Sequence, residues 1–271
     1  MFGAIIGDIV GSRFEFFNNK TGKDFELFHE DCKYTDDSIM SLAICKALTE
    51  CDGDYKKLSE KVILNMQCLG GLYPHAGYGG LFRAWLTDEN PRPYNSFGNG
   101  AAMRISAVAY VAETLEEVKK LSKLVTEVTH NHPEGIKGAE AVAVAIFLAR
   151  IGKNKKQIKD YIEKNYYDLD FSIDEIKEEY EFNETCQGSV PQALECFFES
   201  TGFEDAIRTA ISLGGDSDTI AAITGSVAEA YYGVPSFMKE SAICYLDKKM
   251  FEILKEFENY WLYKLRRCDF V

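Results

Sequence analysis

Two short motifs carry most of the chemistry this chain could perform: Tyr34-Thr35-Asp36-Asp37-Ser38 and Gly214-Gly215-Asp216-Ser217-Asp218-Thr219. Each sets two carboxylates among hydroxyls, and each opens an Ala/Ile-rich stretch of helical character. They lie too far apart in sequence to form one local ligand loop. A fold that joins them puts four carboxylates in one small volume, where like charges cannot all stay ionised without compensation. Divalent cations provide it, and an all-oxygen donor set suits hard ions such as Mg²⁺ or Mn²⁺. The pair of motifs reads as a site for two metal ions. Helix capping explains one acceptor in each motif, since Asp, Ser and Thr all cap helices. It does not explain several in a row, twice.

Other segments hold candidate residues, each with a plainer account beside the chemical one. Glu15 lies in Arg13-Phe14-Glu15-Phe16. Two aromatic neighbours would desolvate it and raise its pKa; a solvated Glu beside Arg13 is the plainer account. Gly77-Tyr78-Gly79-Gly80 and Ser96-Phe97-Gly98-Asn99-Gly100-Ala101-Ala102-Met103-Arg104 are glycine-rich. Such loops let backbone N–H groups approach a phosphate, though tight turns use glycine too. Thr129-His130-Asn131-His132-Pro133-Glu134-Gly135 admits three readings: Zn²⁺ ligation by His130, His132 and Glu134, a helix cap, or a substrate-facing His130.

The elements that must position these groups read as helices. Ser38 to Leu48, Ala139 to Ile151 and Thr219 to Tyr232 are apolar nearly all round, as core helices are. Leu115 to Val128 and Tyr245 to Leu265 are amphipathic. Ser189-Val190-Pro191 reads as a helix start with Ser189 as cap, and the helix runs through Phe198. Glu204 to Leu213 follows, stopped by Gly214-Gly215. Gly3, Gly7 and Gly11 are spaced to let helices approach closely. Residues 68–104 and 165–187 read as irregular. Period-2 alternation is absent, so the expectation is an all-α fold, one domain over residues 1–271.

Composition narrows the function. A net charge of −13 with no Lys/Arg cluster argues against a nucleic-acid partner. No apolar run reaches the roughly 18 residues of a membrane span, and the segment from Met1 to Asp8 lacks the basic start of a secretory leader. Eight cysteines include no CxxC pair, which suits reduced thiols in a cytoplasmic protein. Nothing in the sequence demands an oligomer, so a monomer is expected.

Six ordered segments together resemble the ADP-ribosylglycohydrolase family: GDIVGSRFEF (7–16), YTDDS (34–38), GYGG (77–80), SFGNGAAMR (96–104), THNHPEGIKGA (129–139) and GGDSDT (214–219). The resemblance implies an orthogonal helical bundle with a dinuclear Mg²⁺ or Mn²⁺ centre in a cleft. It implies Thr35, Asp36 and Asp37 as one ligand set and Asp216, Asp218 and Thr219 as the other. It implies that Gly77, Gly79, Ser96, Phe97, Gly98, Asn99 and His130 hold ADP-ribose. Glu15 matches a functionally important glutamate, with Asp36 and Asp218 the next candidates for catalysis. Phe97 stands where some relatives have Tyr, which removes a phenolic hydrogen bond but keeps a ring to stack. Ser38 replaces a frequent Thr. The implied reaction is metal-dependent hydrolysis of the bond between ADP-ribose C1″ and an acceptor, on an ADP-ribosylated protein or a small ADP-ribose conjugate. Hydrolysis of another small substrate on the same site, or ADP-ribose binding without turnover, are the competing readings. Residues 68–95 and 165–187 are the expected loops around the leaving group.

Overall fold

The computed structural model describes residues 1–15, 20 and 22–268, with the side chains of 265–268 excepted. Phe16, expected to flank Glu15, lies outside the described residues. In chain order the helices are α1 (Phe2–Gly11), α2 (Asp36–Cys51), α3 (Leu58–Leu72), α4 (Gly80–Leu86), α5 (Gly100–Met103), α6 (Ser106–Val111), α7 (Leu115–Thr126) and α8 (Pro133–Arg150). They continue as α9 (Lys155–Asn165), α10 (Ile173–Ile176), α11 (Cys186–Glu199), α12 (Phe203–Leu213), α13 (Ser217–Tyr232), α14 (Ser236–Ile243) and α15 (Lys248–Cys268). Among the described residues there is no strand. A lone antiparallel bridge pairs Gly98 with Thr185. The all-α expectation holds.

Helix α13 is the hub, packed on α1, α8, α11 and α12. Its residues from Ser217 through Ala228 are buried, as is every residue of α1. Where α1 crosses α13 the backbones nearly touch. A Cβ on Gly7 would stand 2.1 Å from the Ala221 carbonyl oxygen, and one on Gly11 would stand 2.5 Å from Asp218 Cα. Backbone atoms cannot yield as a side-chain tip can, so only glycine permits this approach. Its consequence is positional: the end of α1, leading to Glu15, is clamped to the start of α13, which carries Asp218.

Local signals set the helix ends. Thr114 caps α7 by accepting from Glu117 N at 3.1 Å. Asn154 and Gln157 form a reciprocal capping box on α9. Helix α8 starts earlier than its apolar run, at Pro133, because His132 caps it and proline suits the first helical position. The expected Ser189 cap is corrected. Helix α11 starts at Cys186, with Thr185 Oγ1 accepting from Gly188 N at 3.1 Å and Pro191 inside the helix. The Ser189 hydroxyl instead turns back on the carbonyls of Asn183 (2.6 Å) and Thr185 (2.9 Å). The segment 68–104 is less irregular than its glycines suggest, since it contains the end of α3 and the short helices α4 and α5. No helix among the described residues is long and apolar enough to cross a membrane.

Candidate functional site

The site begins with Asp8, the one charged residue of α1. It is fully buried and accepts from Thr35 N (3.0 Å), Thr35 Oγ1 (2.7 Å), Ser38 N (3.0 Å) and the Ser38 hydroxyl. Burial raises its pKa, and the Ser38 and Thr35 donors act against that rise. Asp8 therefore caps α2 from a different helix, beside the local cap in which Thr35 Oγ1 accepts from Asp37 N at 3.3 Å. The effect is to fix the backbone of Thr35-Asp36-Asp37-Ser38. Carboxylates in this first turn also face the positive end of the helix dipole.

The second acidic motif meets the first. Thr219 Oγ1 donates to Asp37 Oδ2 at 3.2 Å. Asn99 Nδ2 donates to Asp216 Oδ2 at 2.6 Å and to Ser189 Oγ at 3.1 Å. Glu15, Asp216 and Asp218 each bring an oxygen within 4.8 Å of the others. Asp36 N donates to Ala76 O at 2.8 Å. Gly77, at φ 107°, passes so close that a Cβ there would be 3.1 Å from Asp36 Oδ1.

Crowding shows in the electrostatics. Burial, and then Asp216 and Asp8, lift the pKa of Glu15 to about 7. Burial, and then Asp8, lift that of Asp36 to about 7. Asp37 and Asp218 are driven well above the usual carboxylate range by burial and their acidic neighbours. Burial raises Asp216 as well. Among the described residues no Lys or Arg forms an ion pair with any of these acids. Asp37 Oδ1 is buried with no hydrogen-bond partner. An all-oxygen set with an orphaned buried acceptor and no ion-paired cation fits hard divalent cations.

The acids form the floor of a cleft of about 450 Å³, within the range of roughly 300–1,000 Å³ typical of small-molecule sites. Of the expected site residues, Glu15, Asp36, Asp37, Asp216, Asp218 and Thr219 line it, as do Gly77, Gly79, Ser96, Phe97, Gly98, Asn99 and His130. Thr35 does not line it; its hydroxyl is engaged with Asp8 and Asp37 N. The glycine loop over 96–100 is held by Gly98 N donating to Ser96 Oγ (3.1 Å) and Asn99 N donating to Glu184 O (2.8 Å). Phe97, packed against the His132 ring, and Phe182 are exposed at 42% and 46%, leaving two aromatic faces on the cleft. The zinc alternative finds no support: His132 Nδ1 accepts from Glu134 N at 3.1 Å as a cap, and Glu134 sits 3.3 Å from Lys137 Nζ.

The cleft is also lined by Tyr94, Phe182 and Glu184, which lie in the segments 68–95 and 165–187 expected to border the leaving group, and by Arg104, which ends the glycine-rich segment. None of these four, nor Asp8, stands out in the sequence as an individual site residue, although Asp8 is a single charge inside an otherwise apolar helical run.

The chain matches the family model "ADP-ribosylglycohydrolase" over residues 1–265. It is 26% identical to the ADP-ribosylhydrolase ARH3 of Homo sapiens, across 86% of this chain and 84% of that one. It is 25% identical to the ADP-ribosylarginine hydrolase Tri1 of Pseudomonas putida, across 89% of this chain and 71% of that one. A solved structure titled "ADP-ribosylglycohydrolase-related protein complex" superposes with a TM-score of 0.69 at 19% identity, covering 97% of this chain and 96% of that one, which establishes a shared fold.

Proposed function

The chain belongs to the ADP-ribosylglycohydrolase family and is a hydrolase, and on that footing we propose that its cleft hydrolyses the bond between C1″ of ADP-ribose and an acceptor, releasing ADP-ribose. The observation that carries this reading is the convergence of Glu15, Asp36, Asp37, Asp216 and Asp218 with the 96–100 glycine loop in one cleft. The acceptor is a protein side chain or a small conjugate. Relatives named as an ADP-ribosylarginine hydrolase and as ADP-ribosylhydrolases support that substrate class.

Two Mg²⁺ or Mn²⁺ ions per chain suit the donor set, with Asp36, Asp37, Asp216, Asp218 and Thr219 as the side chains to hold them, and Thr35 shaping the loop. Bound there, such ions supply the positive charge that lets the acids stay ionised and that polarises a water and the ribose hydroxyls. The residues do the rest. The loop over 96–100 and His130 receive the diphosphate, and the rings of Phe97 and Phe182 receive the adenine. That anchoring aligns C1″ with the attacking water, and such alignment removes several kcal/mol from a barrier. Glu15, less buried than Asp216 and Asp218 and within 4.8 Å of both, accepts a proton from the water as it bonds to C1″. The bond from C1″ to the acceptor breaks, and the proton taken up by Glu15 passes to the acceptor as it leaves.

One chain supplies every group named, so the reading needs no second subunit. Seven described cysteines are free, which suits a reducing compartment such as the cytoplasm. The test is release of free ADP-ribose from arginine-linked, serine-linked, nucleobase-linked and O-acyl substrates, each with Mg²⁺, Mn²⁺ or EDTA. Metal-dependent release from one of them is expected and identifies the linkage. No release from any would overturn the reading.

A further inference from the structure

Arg104 ends the glycine-rich segment and is 1% exposed, yet it lines the cleft. Among the described lining residues it alone carries a fixed positive charge. It has no carboxylate partner among the described residues, and its Nε is buried without a hydrogen bond. What it does have is Thr129: Arg104 Nη2 donates to Thr129 Oγ1 at 2.7 Å. The same hydroxyl lies 2.7 Å from His130 Nδ1.

The donor arithmetic favours one arrangement. A guanidinium only donates, so Thr129 Oγ1 accepts from Arg104. Its second lone pair could take an Nδ1–H as well, but the hydroxyl hydrogen of this buried Thr would then have no acceptor among the described residues, a costly state for a buried donor. With Nδ1 as the acceptor that hydrogen is satisfied, and the ring proton sits on Nε2. That nitrogen makes no hydrogen bond among the described residues. It stands beside the glycine loop, where a Cβ on Gly98 or Gly100 would lie 3.5 or 3.6 Å from it. The opposite tautomer would present a lone pair to whatever the loop holds.

We propose that Arg104 and Thr129 are positioning residues that hold His130 as the Nε2–H tautomer, making it a fixed donor to an anion seated on the loop over 98–100. The anion is the diphosphate of ADP-ribose, a point that rests on the function proposed above. The imidazole stays neutral because it is buried and because the Arg104 charge lies close by. A neutral ring donates to an anion only if its proton is on the correct nitrogen, and the relay decides which nitrogen that is.

The experiment is ¹⁵N NMR of histidine-labelled protein without ligand, with the His130 signals identified by their absence in His130→Gln. Wild type is expected to show a protonated Nε2 and an unprotonated Nδ1. Thr129→Ser, which keeps the hydroxyl, is expected to retain that signature and the wild-type affinity for ADP-ribose. Thr129→Val and Arg104→Met are expected to mix the tautomers and weaken ADP-ribose by about tenfold to a hundredfold, the range for a hydrogen bond to a charged group. A protonated Nδ1 in wild type overturns the proposal, and that reading needs no variant to fold. An unchanged tautomer and affinity in Thr129→Val overturns it as well. Failure of wild type to bind ADP-ribose would sink the proposed substrate, while the ligand-free spectra would still decide the relay.

Discussion

The hydroxyl of Thr219 donates to the carboxylate of Asp37 at 3.2 Å, across 182 positions of sequence. That contact joins the two acidic motifs, and under the proposed function they serve as one ligand array, so removing a charge from either should disable the whole. Asp36→Asn and Asp218→Asn are each expected to lower Mn²⁺ affinity, read by calorimetry, and to cut turnover by about 10²-fold or more. Circular dichroism should report an unchanged helical content. Wild-type rates in both variants would contradict the two-metal reading.

Glu15 calls for a different outcome. Glu15→Gln keeps the shape and all the proposed metal ligands, so Mn²⁺ binding should persist while kcat falls by about 10²–10⁴-fold, the range for losing a general base. A silent substitution would make the residue structural.

Metal-free protein should lose stability as pH rises. Glu15 moves from 4.5 to about 7 on folding, and Asp36 from 3.8 to about 7. Between about pH 4 and 7 the folded chain therefore binds more protons than the unfolded chain, and stability falls as pH rises through that window. The Tm of EDTA-treated protein is expected to drop from pH 5 to pH 8. Added Mg²⁺ should raise Tm more at pH 8 than at pH 5. A Tm that climbs with pH in EDTA would contradict the clustering of these acids.

Asp8 holds α2 in place from α1 through four donors. Asp8→Ala strands those donors in a buried site, at about 1–3 kcal/mol for the group left unsatisfied. Urea denaturation would measure the loss. Metal affinity should fall with it, because the first turn of α2, which carries Asp36 and Asp37, loses its anchor.

The α1–α13 crossing predicts a contrast among glycines. Gly7→Ala drives a methyl into the Ala221 carbonyl, and overpacking of this kind costs about 1–3 kcal/mol. Gly11→Ala meets Asp218 Cα, so it should reduce activity beyond what its stability change explains. Gly71, inside α3 with nothing within 4 Å of its would-be Cβ, should gain up to about 1 kcal/mol on replacement by Ala.

These contacts mark where sequence stops being informative. The excess of carboxylates at 36–37 and 216–218 is local, as is the apolar periodicity of α2, α8 and α13, and both are legible without coordinates. The role of Asp8 is not, because its four donors sit on residues 35 and 38. The start of α11 was misread because Ser189 and Pro191 mimic a helix start, while the working cap, Thr185, has no distinguishing neighbour. Phe182 and Glu184 reach the cleft only because their segment docks on the glycine loop, a pairing that no periodicity encodes.

That docking has a thermodynamic side. The Gly98–Thr185 bridge consists of Asn99 N donating to Glu184 O at 2.8 Å and Cys186 N donating to Phe97 O at 2.9 Å. Two main-chain hydrogen bonds therefore tie the loop proposed for the diphosphate to the segment bearing Phe182. The ordering of both falls within folding itself and not within ligand capture. A long, many-rotor ligand such as a nucleoside diphosphate sugar already loses much freedom on binding, and here it meets a wall that loses little more.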